Sequence, residues 1–283
     1  MFDYNVFNNT FVGASHIRRG TRCQDASLSL SEKGAAIAAV ADGHGSEAYF
    51  RSEIGAHFAA DIAVNCAADF IKSITPDMLT DADSVNRQLI QLEKCIIMRW
   101  GETVEEHREQ FPFTEEEEKI FAESRQREIY SVYGTTLIAA AVTPAYWFAF
   151  QIGDGKCAAL ADGIWSEPVP WDEKCFLNAT TSICDSRAVD EFRHYFSGNL
   201  PAAVFLCTDG ICDSYGSADD LFLVYSKTAE TFARTGFARA KKTVSRMLPA
   251  ITSKGSGDDV SLAGILSKTA VKNAFAPHLG SKN

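Results

Sequence analysis

Residues 35–45, AAIAAVADGHG, constrain the fold of this chain more than any other stretch. The apolar run Ala35–Ala41 has the length of a strand buried on both faces, and it stops at Asp42-Gly43-His44-Gly45. A carboxylate at the end of a buried strand is costly unless a positive partner meets it. The adjoining glycines let the backbone turn sharply and come close to whatever Asp42 holds. Two other places repeat the pattern: Ala203–Cys207 runs into Thr208-Asp209-Gly210, and Gly255–Asp259 leads into the apolar run Val260–Leu266. One Asp-Gly reads as a turn. Three, each at the end of a separate apolar run, meet only through the fold, and such a set suits a hard, oxygen-preferring cation such as Mg2+ or Mn2+.

Around these anchors the periodicity alternates between strand and helix. Ala26–Leu30 alternates apolar with polar residues and predicts a strand beside Ala35–Ala41, with Asp25 at its start. Ser46 is a candidate N-cap for a helix whose face is Ile54, Phe58, Ile62 and Cys66. Val85, Leu89, Leu92, Ile96 and Trp100 mark a second helix, capped by Asp83 or Ser84. Thr114 and the four glutamates after it read as the solvated start of a third. Leu137–Val142, Tyr146–Ile152, Lys156–Leu160 and Gly163–Trp165 predict consecutive hairpins, with Asp162-Gly163 as one turn. Further helices fall within Asp219–Leu248, and residues after Lys268 read as a frayed tail.

The 283 residues are 46% hydrophobic and have no long Pro/Gly/Ser linker, which fits one domain over 1–283, with a core at about 11–267 and a tail at 268–283. Twenty-seven basic against 37 acidic residues give a net charge of -10, which counts against nucleic acid or an anionic membrane as partner. No apolar segment reads as a membrane span, and the N-terminus lacks the basic and apolar regions of a signal peptide. Eight cysteines without a C-x-x-C pair read as reduced core thiols. The expectation is a cytoplasmic protein, monomeric, without a membrane or nucleic-acid partner.

CQDAS (Cys23–Ser27), ADGHG (Ala41–Gly45), YGTTLIAAAV (Tyr133–Val142), IGDGK (Ile152–Lys156), CTDGICD (Cys207–Asp213) and GDDVSLAGIL (Gly257–Leu266) resemble, in order, the successive motifs of the protein phosphatase 2C family of metal-dependent serine/threonine phosphatases. The resemblance covers about residues 13–266. It implies an α+β fold, a four-layer α-β-β-α sandwich of two antiparallel sheets flanked by helices. It also implies hydrolysis of phosphoserine and phosphothreonine in proteins by a water or hydroxide bridging two Mn2+ or Mg2+ ions. By the same resemblance Asp42 bridges the ions, Asp209 and Asp258 complete the first, the Gly43 carbonyl helps to hold the second, and Asp25 acts through metal-bound water. Asp154 matches the ligand of a third, weaker ion, and His44 the general acid, a role its titration range suits. Arg19 is the candidate for phosphate binding; Arg18 and Arg22 lie nearby, and none falls cleanly on the pattern.

The chain departs from that pattern at Gln24, where an acid is frequent; the neutral amide predicts a loosely held second ion. Asp259 stands where the family usually has Asn and is placed outside the metal's ligands, as is Asp213, assigned to the turn. Two readings of other classes stand beside the phosphatase: a silent relative acting as a regulatory binding module, and a two-metal nuclease. The first predicts loss of a core aspartate, and none is lost. The acidic balance counts against the second. Trp171–Asn199, which interrupts the strand pattern, is the candidate for reading the substrate.

Overall fold

The computed structural model describes residues 2–124, 128–176 and 179–279. The chain opens with β1 (Tyr4–Phe11), α1 (Ala14–Arg19), β2 (Asp25–Glu32) and β3 (Ala35–Asp42), followed by the helices α2 (Ser52–Ser73), α3 (Ala82–Gln110) and α4 (Glu115–Glu123). Next come β4 (Leu137–Val142), β5 (Trp147–Ile152), β6 (Lys156–Ala161), β7 (Ile164–Ser166), α5 (Ala188–Glu191), β8 (Arg193–Ser197) and β9 (Ala203–Cys207). The last elements are α6 (Asp209–Cys212), α7 (Ala218–Thr235), α8 (Phe237–Lys254), β10 (Val260–Ser267) and α9 (Lys268–Leu279). Two five-stranded sheets result, ordered β2-β3-β4-β5-β8 and β1-β10-β9-β6-β7. Every pairing is antiparallel.

The layers explain the composition of the strands. Ala36, Ala38 and Val40 of β3 face Val204, Leu206, Ala263 and Ile265 of the other sheet, whereas Ile37, Ala39 and Ala41 face α2 and α3. β3 is therefore buried on both sides, which is why its sequence runs apolar without alternation. Phe7, Phe205 and Leu262 meet α7 and α8 on the outer face of the second sheet. The result is the four-layer sandwich that the resemblance implied.

Several expectations are corrected. Ser46 caps no helix; Glu47–Tyr49 is one 3-10 turn and α2 begins at Ser52. The α3 cap is Asp81, whose carboxylate accepts from the Ser84 amide. Glu117 is not simply solvated, because it pairs with the buried Arg51 at 2.8 Å. β5 and β6 do not form a hairpin: the link Gly153–Gly155 carries the chain from one sheet to the other. Residues 193–197, part of the stretch assigned to substrate reading, form the edge strand β8. The tail described to residue 279 is α9, anchored by the buried Val271, while 280–283 lie outside the described residues. By length and composition α2 could cross a membrane, yet 61% of that stretch is buried in this fold, packed on β3 and α3.

Candidate active site

Antiparallel register collects the acidic strand ends at one rim. Asp25 at the start of β2 is paired with Asp42 at the end of β3. Cys207 is the partner of both Lys156 and Leu262, so the Gly153–Gly155 crossover and the 258–259 turn flank Asp209. Thr208 joins the sheets: its Oγ1 donates to Asp25 Oδ2 at 2.7 Å and accepts from the Ser261 amide at 3.0 Å. Gly210 at the start of α6 lies so close to the last turn that a Cβ there would sit 1.9 Å from the Asp259 carbonyl oxygen.

These carboxylates carry little compensation. Asp25 is 2% exposed, and its Oδ1, like Asp209 Oδ1, is buried without a hydrogen-bond partner. Burial, with repulsion from Asp259 and Asp209, raises Asp25 well above the usual carboxylate range. Burial, with repulsion from Asp209 and Asp25, does the same to Asp42. Asp209 rises to about 6, chiefly by burial, with Asp154 and Asp258 adding to it. Asp154 is also raised by burial, against the opposing pull of Thr180 and Arg193. Asp213, in the turn that closes α6, is likewise raised by burial and then by Asp154 and Asp258. Carboxylates with unpartnered oxygens, and with no salt bridge from a base to Asp25 or Asp42 among the described residues, form a donor set that fits a divalent cation. The Asp42 and Asp209 carboxylates lie within hydrogen-bond reach of each other. Among the described residues, the one group whose ligand atoms all lie within 4.8 Å of one another is His16, Asp258 and Asp259.

Gly43 follows Asp42 in a buried bend, its N–H donating to the Gln24 carbonyl at 3.1 Å. A Cβ there would come within 2.7 Å of the Ser52 carbonyl and 2.8 Å of Gln24's, so backbone crowding selects the glycine. His44 is held by its backbone: the N–H donates to the Gly134 carbonyl, and its own carbonyl accepts from Ser52 Oγ at 2.9 Å and Gln24 Nε2 at 3.2 Å. Its ring packs edge-on to Tyr49, and burial lowers its pKa to about 4.

The Gln24 amide nitrogen therefore braces the His44 turn, donating also to Ser52 Oγ at 3.1 Å. This changes the expectation for Gln24→Glu. The variant turns an acceptor toward the His44 carbonyl, which should cost on the order of 1–3 kcal/mol and leave Mn2+ affinity unchanged. Denaturation and calorimetric Mn2+ titration check the two parts, and tighter Mn2+ binding in the variant would refute this placement.

Of the arginines, Arg18 and Arg19 are exposed; Arg19 reaches Ser15 Oγ at 3.4 Å, and Arg22 pairs with Glu53 at 3.6 Å. None is built into the acidic rim. His16, which no sequence signal singled out, and Asp259, which the sequence reading placed outside the metal's ligands, border it. His16 is buried, and Asp259 is 3% exposed, accepting the Gly13 amide at 2.5 Å and the Gln24 amide at 2.6 Å. No spacing motif marks His16; the doubled Asp258-Asp259 was the available signal. Beside Asp154 and Asp209 lies a cavity of about 360 Å³ whose walls include Lys156, Glu167, Trp171 and Tyr215.

A two-sheet sandwich with helices outside and acidic strand ends gathered at one rim is the architecture of the metal-dependent serine/threonine phosphatases. The chain belongs to the protein phosphatase 2C family: the family model so described matches residues 12–249. Among solved structures it is similar to the catalytic domain of the serine/threonine phosphatase PstP in complex with two manganese ions, at 14% identity and a TM-score of 0.55, covering 93% of this chain and 97% of that one. It is similar to the S. agalactiae serine/threonine phosphatase at 14% identity and TM-score 0.55, covering 93% and 99%. It is also similar to PppA of Pseudomonas aeruginosa, a key regulatory component of T6SS, at 17% identity and TM-score 0.54, covering 94% and 98%. No curated protein sequence matches it.

Proposed function

We propose that this chain is a divalent-metal-dependent phosphatase acting on phosphoserine and phosphothreonine in proteins. The observation that carries the reading is the convergence, at one rim of a protein phosphatase 2C fold, of the buried Asp25, whose Oδ1 has no partner, with Asp42 and Asp209, both raised by desolvation and like charge, and with Asp258. Asp42 would be the shared ligand, Asp209 and Asp258 would complete the holding of one ion, the Gly43 carbonyl would serve the second, and Asp154 would serve a third. Two such ions would neutralise the phosphoryl group and make an attacking water available at neutral pH.

The chain's own residues position this chemistry. Thr208 holds the Asp25 carboxylate, and the Gln24–Ser52–His44 hydrogen bonds fix the turn after the shared aspartate. His44 would give its proton to the departing serine or threonine oxygen, and Arg19 is the candidate to meet the phosphate. The eight free cysteines suit a reducing, cytoplasmic setting.

The test is hydrolysis of p-nitrophenyl phosphate and of phosphoserine and phosphothreonine peptides with Mn2+ or Mg2+. Activity should appear with metal and vanish in excess EDTA. Full turnover after bound metal has been removed would refute the metal-dependent reading. Bound Mn2+ without turnover on any substrate would leave a binding module.

A further inference from the structure

The helix α1 is bolted to the last acidic turn. Ser15 donates to the Gly257 carbonyl through both its amide, at 2.8 Å, and its hydroxyl, at 2.7 Å. The Ala14 amide donates to Thr252 Oγ1 at 2.9 Å, and that hydroxyl donates to the Asp258 carbonyl at 2.7 Å. This framework carries the His16 ring, 7% exposed, against two carboxylates: Nε2 lies 3.4 Å from Asp258 Oδ1 and Nδ1 lies 3.0 Å from Asp259 Oδ1. The Nδ1 contact lacks hydrogen-bond alignment, so a nine-tenths-buried ring nitrogen stands without a partner.

The two aspartates differ sharply. Asp259 is buried and spends its oxygens on the Gly13 and Gln24 amides. Asp258 has a side chain 53% exposed, facing the acidic rim. A metal-bound imidazole commonly gives its other N–H to a carboxylate, which fixes the tautomer and aims the lone pair. Asp259 occupies the carboxylate's place in that arrangement, and Asp258 the place of a ligand beside the ring.

We propose that His16 is a nitrogen ligand of the divalent ion held by Asp258, with its ring oriented by Asp259. A small rotation of the ring aligns Nδ1–H with Asp259 and turns the Nε2 lone pair toward that ion. This rests on the metal-dependent reading for the presence of an ion at Asp258, and on nothing else in it. A nitrogen donor in an oxygen set favours Mn2+ over Mg2+.

The full chain loaded with Mn2+ and studied by pulsed electron paramagnetic resonance tests the bond directly. The expected result is the nitrogen coupling of a directly bound imidazole in the wild type, its loss in His16→Gln, and its retention in His44→Ala. Calorimetry should show Mn2+ affinity lower by about tenfold to a hundredfold in Asp259→Asn, the effect of removing a ligand's orienting partner. Bound Mn2+ with no imidazole coupling in the wild type, or coupling that survives in His16→Gln, overturns the proposal and leaves the phosphatase reading intact. Failure of the wild type to bind Mn2+ overturns both. The wild-type spectrum decides the matter even if a variant fails to fold.

Discussion

Asp209→Asn and Asp42→Asn are each expected to lower turnover by several orders of magnitude while making the metal-free protein more stable. The loss of turnover follows from removing the charge of a shared or first ligand, without which the phosphoryl group and the attacking water lose their neutralising partner. The gain in stability follows from burial. Asp209 repels Asp42, Asp154 and Asp258 repel Asp209, and burial raises both, so an amide of the same shape escapes these penalties. For Asp209 the folded-state pKa is about 6 against an ordinary 3.8, so the folded protein binds the proton more tightly than the unfolded chain. Its stabilising effect is present at low pH and is lost as pH rises from about 4 through about 6, on the order of 3 kcal/mol for one such group. Urea denaturation in EDTA at several pH values should show that decline in the wild type and a flatter profile in Asp209→Asn. Near-normal turnover at saturating Mn2+ in either variant would refute the ligand assignment. A metal-free variant no more stable than the wild type at pH 7 would refute the electrostatic account.

The parts of this site that were legible in the sequence are those where burial and chemistry coincide locally. Ala35–Ala41 reads as a doubly buried strand because both of its faces are covered, and Asp42 stands out against it. Asp209 and Asp258 repeat the contrast. Asp162-Gly163 is a turn in both readings, with both residues at positive φ. What was not legible depends on partners far along the chain. Gly153–Gly155 has the composition of a hairpin turn. It switches sheets because the Gln151 amide donates to both the Gly153 and Gly155 carbonyls while Arg193, forty residues on, donates to the former. His16 sits in a polar, basic hexapeptide with no periodicity, and its burial comes from a contact between Gly13 and a carboxylate 246 residues away. α9 was hidden for a similar reason: its packing signal is Val271 and Phe275, one helical turn apart, within a stretch of alanines and polar residues that lies against α7.

The second large effect is expected at His44, and its diagnostic value lies in a comparison of substrates. His44→Ala should lower turnover on phosphoserine and phosphothreonine peptides by about 10²–10⁴-fold, the usual contribution of a general acid, and turnover on p-nitrophenyl phosphate by less than about tenfold. An alkoxide leaving group needs a proton as the P–O bond breaks, whereas nitrophenolate departs without one. The position suits the role, since the turn that carries His44 directly follows Asp42 and is pinned at the His44 N–H and carbonyl by Gly134, Ser52 and Gln24. The ring environment sets a condition on it. Burial takes the pKa of His44 down to about 4, so the imidazole of the free protein is almost wholly neutral at pH 7. A phosphate dianion docking nearby is what would favour the protonated ring, because an adjacent opposite charge stabilises it. The acid is then loaded by the substrate it serves, and the loss in His44→Ala should fall on the chemical step and not on binding. Steady-state kinetics on both substrates, with circular dichroism to confirm folding, make the distinction. Equal losses on the two substrates would show that His44 acts through the turn it anchors, with its ring packed on Tyr49 as a structural element.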